Sequence, residues 1–230
     1  MSRVSMAAAA ALLPQAPIYG IAMFSNGRSQ IDYELGHAEL DRDTDWAHQI
    51  LLDAGIVGGD MVLFTAGNHE APWTTPIARA LRRIGAPYIT AETYKWDARR
   101  FVTFLQRLPI KAIIGLGMET VDALQDAVPS LTDLVAGVDI IWARADSLAQ
   151  LKTLQINAIP FLPLGPALAL GVPGEQGARI NSAEWDVSSS EGRIHVSNLQ
   201  TRLTRFTNLD TGISGSIDQT DGARTRVLPR

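Results

Sequence analysis

Leu51-Leu-Asp-Ala-Gly55-Ile-Val-Gly-Gly-Asp60-Met-Val-Leu-Phe-Thr65 is the stretch that decides the fold. Gly55 stands where a helix stops, because glycine accepts the left-handed backbone of a C-terminal cap. Residues 61–65 then form a short, unbroken apolar run, the pattern of a strand buried on both faces. Upstream, Leu35, Leu40, Trp46, Ile50 and Leu51 recur at helical spacing and predict one amphipathic helix over 32–53, with a break near Asp41. Downstream the pattern predicts a helix at 74–84 ended by Gly85, a strand at 87–91, a helix at 98–108, a strand at 112–116, a helix at 119–127 and a strand at 138–142. This alternation predicts an α/β fold, a mostly parallel Rossmann-like sheet with helices on both faces.

After Leu154 the character changes, with Pro160, Pro163, Pro166 and Pro173 interrupting any helical period. A small antiparallel β-rich subdomain is expected to follow, with strands at 179–188, 193–199 and 203–208 and a turn over 188–192. His195 should share a solvent-exposed face with Arg193 and Ser197. The expected division is an α/β subdomain over 1–154, a β-rich subdomain over 155–219 and a flexible polar tail over 220–230. The early run at 7–13 reads as a frayed start or a helix, since only Arg3 precedes it and no small-residue cleavage site follows.

The 230 residues suit one large α/β domain with a small appendage. Apolar residues make up 46% and charged residues 19%, a globular balance, and the net charge of -4 gives no general attraction to nucleic acid or acidic membranes. No apolar run reaches membrane-spanning length. The absence of cysteine removes disulfides and thiolate chemistry and agrees with a cytoplasmic location.

Candidate chemistry gathers at the expected carboxyl ends of the strands, where open α/β sheets bind ligands. Asn68, His69, Glu70 and Trp73 follow the first strong strand; His69 and Glu70 are the acid–base candidates, with a helix-capping loop as the alternative. Glu92, Tyr94 and Trp96 follow the next strand as pocket walls, with Asp97 read as the cap of the helix near Ala98. Gly115-Leu-Gly117-Met-Glu-Thr120 has two of the three glycines of a dinucleotide turn, and Asp139 lies at the spacing of a ribose-binding acid. Thr120 and Glu119 argue against a pyrophosphate there. The sequence contains no GxxxxGK[ST], no GxSxG and no HExxH, so no metal site is expected.

The order of these pieces resembles the adenylate-forming superfamily of acyl- and aryl-CoA ligases. The likeness runs through Tyr33-Glu-Leu35, the Leu51–Asp60 entry to a strand, Asn68-His-Glu70, Ala80-Leu-Arg-Arg-Ile-Gly-Ala86 and Lys111-Ala-Ile-Ile114. A second stretch, Glu184-Trp185, Gly192-Arg-Ile-His-Val-Ser-Asn-Leu199 and Arg202-Leu-Thr-Arg205-Phe-Thr-Asn-Leu-Asp210, resembles the phenylacetate-CoA-ligase branch. There the resemblance implies that Asp210 stands at the place of an aspartate that holds the ribose of AMP. Missing between the two stretches are the Ser/Thr/Gly-rich loop ending in Pro-Lys, the long second α/β subdomain and the Tyr-Gly-x-Thr-Glu motif, and the mobile domain with its catalytic lysine is missing after them.

The reading that follows is a reduced, degenerate ligase-like protein that lacks autonomous ATP activation. It would bind an acyl or aryl carboxylate or a CoA thioester, or dock on a partner ligase subunit or a second copy of itself. Its ligand residues would be Asn68, Trp73, Glu92, Tyr94, Trp96, Gly115, Gly117 and Asp210. Two other readings stay open: an enzyme recruited to ATP-independent acyl chemistry through His69 and Glu70, and a dinucleotide-binding oxidoreductase. No cofactor is identified by the sequence.

Overall fold

The computed structural model describes residues 17–67, 70–219 and 225–229. The first described elements are a two-stranded hairpin, β1 (Ile18–Ser25) and β2 (Gln30–Gly36), followed by α1 (His37–Asp53). The single helix expected over 32–53 is therefore a strand and a helix. Buried Tyr33 and Leu35 alternate with exposed Asp32 and Glu34, a period-two signal that the longer helical pattern conceals. No break occurs near Asp41; the helix starts at Gly36, whose N–H is taken by the Glu39 carboxylate.

The central layer alternates as the sequence predicts through β3 (Met61–Thr65), α2 (Ala71–Ile84), β4 (Tyr88–Ala91), α3 (Ala98–Arg107), β5 (Ile110–Leu116), α4 (Met118–Ala127) and β6 (Ile140–Arg144), and adds three elements that it does not predict: α5 (Leu131–Val135) before β6, and α6 (Ala145–Thr153) and β7 (Ile159–Leu164) after it. Strands β4, β3, β5, β6 and β7 lie side by side and all parallel. Alternate residues feed two cores. Val62, Phe64, Ile114 and Trp142 pack with Ile50, Leu51, Ile77 and Leu81 of α1 and α2 on one face. Leu63, Ile113 and Ile141 pack with Phe101, Leu124, Leu131 and Leu151 on the other.

The proline-rich run forms β7 and β8 (Ala167–Leu170), and the chain continues through β9 (Ala178–Ile180), β10 (Trp185–Ser190), β11 (Arg193–Asn198), β12 (Leu209–Asp218) and β13 (Arg226–Pro229). From β8 onward each strand pairs antiparallel, as expected, but these strands hydrogen-bond onto the parallel ones through β7 as one mixed sheet in the order β10-β11-β12-β13-β9-β8-β7-β6-β5-β3-β4. The strand expected over 179–188 is split, because Glu184 and Trp185 turn their N–H groups back to the Asn181 carbonyl. Residues 203–208 form no strand: one backbone bond, from the Asn198 N–H to the Phe206 carbonyl at 3.2 Å, is joined by side-chain acceptors, with the Phe206 N–H going to Asn198 Oδ1 at 2.6 Å and the Asn208 N–H to Ser197 Oγ at 2.9 Å. The β10–β11 turn uses Glu191 and Gly192 at φ of 51° and 76°, the two left-handed residues that a tight hairpin requires. Within the stretch read as a polar tail, Arg226–Pro229 pairs with both β12 and β9. The early run at 7–13 lies outside the described residues.

A buried ionic seam ties the early helix to the late strands. Arg202 donates to Asp43 Oδ2 and Oδ1 at 3.0 and 2.6 Å and to Glu184 Oε2 at 2.8 Å, while its guanidinium lies 4.4 Å from the Trp185 ring centroid. Arg42 holds the other oxygen of Glu184 at 2.6 Å, and Glu39 accepts the Leu203 N–H at 3.3 Å. Burial pushes the Asp43 and Glu39 carboxyls above their ordinary range despite the opposing pull of Arg202. Burial also pushes up the Tyr33 phenol, whose hydroxyl has no hydrogen-bond partner among the described residues.

Candidate functional site

From β3 the chain runs outward to edge strand β4, then returns to β5 on the opposite side of β3. Such a reversal leaves a crevice at the carboxyl ends of the strands, the usual ligand position in open α/β sheets. Here the crevice is filled by side chains. Arg144, the last residue of β6, donates from Nη1 and Nη2 to Glu70 Oε1 and Oε2 at 2.6 and 2.8 Å and from Nε to the Gly115 carbonyl at 3.0 Å. The Gly67 N–H adds a bond to Glu70 Oε2 at 2.8 Å, and the guanidinium lies 5.4 Å from the Phe161 ring centroid. A planar guanidinium fork matches a carboxylate in this two-point geometry. Glu70 is buried and both its oxygens are engaged, an arrangement that suits holding strand ends together.

The glycine turn after β5 closes the same corner. Gly115 has φ +89° and lies so close to Thr65 that a Cβ would overlap the Thr65 carbonyl oxygen. A Cβ on Gly117 would stand 2.9 Å from Arg144 Cδ. Both glycines are thus explained by contacts within the chain. Thr120 is buried with Oγ1 donating to the Thr93 carbonyl at 3.0 Å, and Glu119 accepts the Lys95 N–H at 3.1 Å. Asp139 pairs with Lys111 on the neighbouring strand start.

One strand outward the surface opens. A cleft of about 500 Å³ lies between α2 and β4 at the carboxyl end of β3. Thr75, Ala78, Arg79 and Arg82 line it from one stripe of α2, at offsets of three, four and seven residues. Tyr88, Thr90 and Glu92 line it from alternate positions along β4 and its end, with Phe64, Ala66 and Gly67 from β3 and Tyr19 from the hairpin. Arg79 is paired with Asp41 at 2.8 Å and lies 5.5 Å from the Tyr19 ring centroid. Arg82 donates to the Tyr88 hydroxyl at 3.3 Å and lies 6.0 Å from that ring centroid.

The expected site residues separate into groups. Glu92 lines the cleft. Tyr94 and Trp96 stack on each other beyond β4 with centroids 6.3 Å apart and 19° between planes, and Trp96 is 70% exposed. Asp97 stands at the N-cap position of α3, as expected, but its side chain makes no capping bond; it is buried, accepts the Glu92 N–H at 2.7 Å and binds Arg100, thereby fixing the end of β4. Trp73 is a core anchor whose indole N–H reaches the Gly165 carbonyl at 2.8 Å. Asn68 and His69 lie outside the described residues.

Asp210 is on β12, far from β3 in the strand order. Arg193 Nε bonds both its oxygens at 3.0 Å and the Gly212 N–H reaches Oδ1 at 3.0 Å. Partial burial raises its pKa, but Arg193 and Gly212 outweigh that effect and hold the carboxyl below its ordinary value. The face of Arg193, His195 and Ser197 is half-buried rather than exposed, because the β1–β2 turn packs there and Arg193 reaches the Asn26 carbonyl. No cluster of three or more potential metal ligands occurs among the described residues, and none of their helices is long and apolar enough to cross a membrane.

Sequence reasoning missed Arg144, because a single arginine at a strand end carries no motif. It also missed the cleft stripe, although Thr75, Ala78, Arg79 and Arg82 recur on the α2 face opposite Ile77 and Leu81.

No protein-family model matches this sequence, and no curated protein matches it. Solved structures do match. One is 2-hydroxyisobutyryl-CoA ligase in its postadenylation state, with TM-score 0.70 and 11% identity over 95% of this chain and 53% of the ligase. Another is a double mutant of the o-succinylbenzoate CoA synthetase MenE from Bacillus subtilis, with TM-score 0.61 and 11% identity over 93% of this chain and 49% of the synthetase. A third is the anthranilate CoA ligase AuaEII in complex with anthranoyl-AMP, with TM-score 0.60 and 12% identity over 93% and 47%. The chain spans about half the length of these proteins. It has the fold of acyl- and aryl-CoA ligases, the family its sequence resembles.

Proposed function

We propose that the chain is a ligase-fold module that binds a carboxylic acid or its CoA thioester in the α2–β4 cleft and does not activate that acid with ATP by itself. The cleft carries this reading: it is open at the carboxyl end of the sheet, and its volume falls within the roughly 300–1,000 Å³ of small-molecule sites. The sequence between residues 117 and 184 supports the second half of the reading, since it holds no Ser/Thr/Gly-rich loop ending in Pro-Lys. Phosphoryl chemistry depends on such positioned donors. A role beside a full-length ligase fits the same module.

The other two readings have less support. Acid–base chemistry at Glu70 competes with the Arg144 and Gly67 bonds that already occupy its oxygens. A dinucleotide at 115–120 would compete with Arg144 for the space beside Gly117.

Two assays on the whole chain test the proposal. Thermal melting with benzoate, acetyl-CoA and benzoyl-CoA should show a rise with at least one of them, because a ligand that prefers the folded state stabilises it. Incubation with ATP, magnesium and a panel of acyl and aryl carboxylates should release no pyrophosphate above the protein-free rate. Steady pyrophosphate release, or no thermal response to any of the three ligands, overturns the proposal.

A further inference from the structure

We propose that the α2–β4 cleft is an oxyanion seat, in which Arg82 reads the charge of a carboxylate or phosphate monoester and the Tyr88 ring stacks against the flat apolar body that carries it. This deepens the reading above and rests on it, because it assigns the acidic end of the ligand to one end of that cleft.

The argument begins with the unequal pairing of three arginines on one helix. Arg79 and Arg83 are tied to Asp41 and Asp45 of α1 at 2.8 and 2.5 Å. Arg82 faces away from α1, into the cleft, and has no carboxylate partner among the described residues. A guanidinium carries five N–H donors, and the bond to the Tyr88 hydroxyl uses one of them. The remaining donors are free for a two-point contact with an oxyanion, the geometry that favours arginine over lysine. The Tyr88 hydroxyl accepts from Arg82 and keeps its own proton, so it can donate to the same oxyanion.

The walls suit a flat ligand. Tyr88 offers a ring, and Ala66 and Ala78 offer apolar surface. Thr74, Thr75 and Thr90 bring hydroxyls that make no side-chain hydrogen bond among the described residues. The one acid among the described residues of the lining, Glu92, lies four residues along from Tyr88, roughly 13 Å in an extended strand. Its repulsion of an anion held at Arg82 is therefore screened at physiological salt. The cleft itself exists because β4 is the edge strand and α2 leaves the outer part of its face uncovered.

Calorimetric titration of the whole chain with benzoate, phenyl phosphate and benzamide tests this. Both anions should saturate, with benzamide at least tenfold weaker, and the tighter anion identifies whether the natural ligand is a carboxylate or a phosphate ester. Arg82→Gln should weaken both anions by about tenfold or more, equivalent to about 1.4 kcal/mol. Tyr88→Leu should weaken them similarly. Arg107→Gln, at the exposed end of α3, should leave both dissociation constants unchanged. Equal binding of benzamide and benzoate, unchanged affinity in Arg82→Gln, or no saturation by either anion overturns the seat. If benzoyl-CoA stabilises the chain while Arg82→Gln binds benzoate normally, the seat falls and the broader reading stands. If the anions need Arg82 but ATP yields pyrophosphate, the broader reading falls and the seat stands.

Discussion

Two corners of one sheet, one strand apart, handle their arginines in opposite ways. At the ends of β5 and β6, Arg144 is bound by two Glu70 oxygens and the Gly115 carbonyl, and the glycines beside it leave no spare volume. Between α2 and β4, Arg82 meets one neutral hydroxyl beside about 500 Å³ of open space. The first corner lies where topology alone would place a ligand, yet its polar groups are already satisfied. Location on a fold therefore marks where a site can be, while unsatisfied donors beside free volume are what the proposed seat rests on.

The largest effects should come from breaking satisfied, buried charge. Removing one partner of a buried pair typically costs about 3–5 kcal/mol, because the other charge is left uncompensated. Arg144→Ala strands Glu70, and Arg202→Ala strands Asp43 while Glu184 keeps Arg42, so each should lower the unfolding free energy by about that amount in urea titrations. A strained backbone comes next. Gly115→Ala forces a side chain onto a left-handed residue packed against Thr65 and should cost at least about 1–3 kcal/mol in the same measurement. Tyr33→Phe has the opposite sign: it removes a buried hydroxyl that lacks a partner and should stabilise the chain by about 1 kcal/mol. Arg82→Gln should change stability by less than about 0.5 kcal/mol, as surface substitutions do. That contrast with Arg144→Ala separates the arginine proposed to bind from a structural one.

The ionic seam adds a pH signature. Folding raises the pKa of Asp43 above its unfolded value, so the folded state binds this proton more tightly. Its contribution to stability is full below the ordinary carboxylate range and is lost as pH rises through the raised folded value. Asp43→Asn should flatten the decline in stability over that window. Asp210 has the opposite sign, since its lowered pKa adds stability above the ordinary carboxylate range that is lost as pH falls through the folded value.

Much of the central layer was legible because residues such as Val62 to Phe64 and Ile113 to Ile114 are buried on both faces and bounded by turn residues. The hairpin was not, because Tyr33 and Leu35 also fit the helical pattern that continues into α1. The 203–208 loop imitated a strand because nothing in its own residues shows that the Asn198 and Ser197 side chains take its N–H groups. Sequence reading pointed to Glu92, which lines the cleft, and to the glycine turn as a tight corner. It gave no sign that Arg144 fills that corner, since an arginine 29 residues beyond Gly115 becomes its neighbour only through parallel pairing of β5 with β6.

The contrast between the corners is tested most directly by two-dimensional amide NMR of the whole chain during a benzoate titration. Saturable shifts should concentrate at Ala78, Arg82, Thr90 and Glu92, with Gly115 to Thr120 unmoved. Shifts centred on Gly115 to Thr120 with a silent cleft would contradict the account.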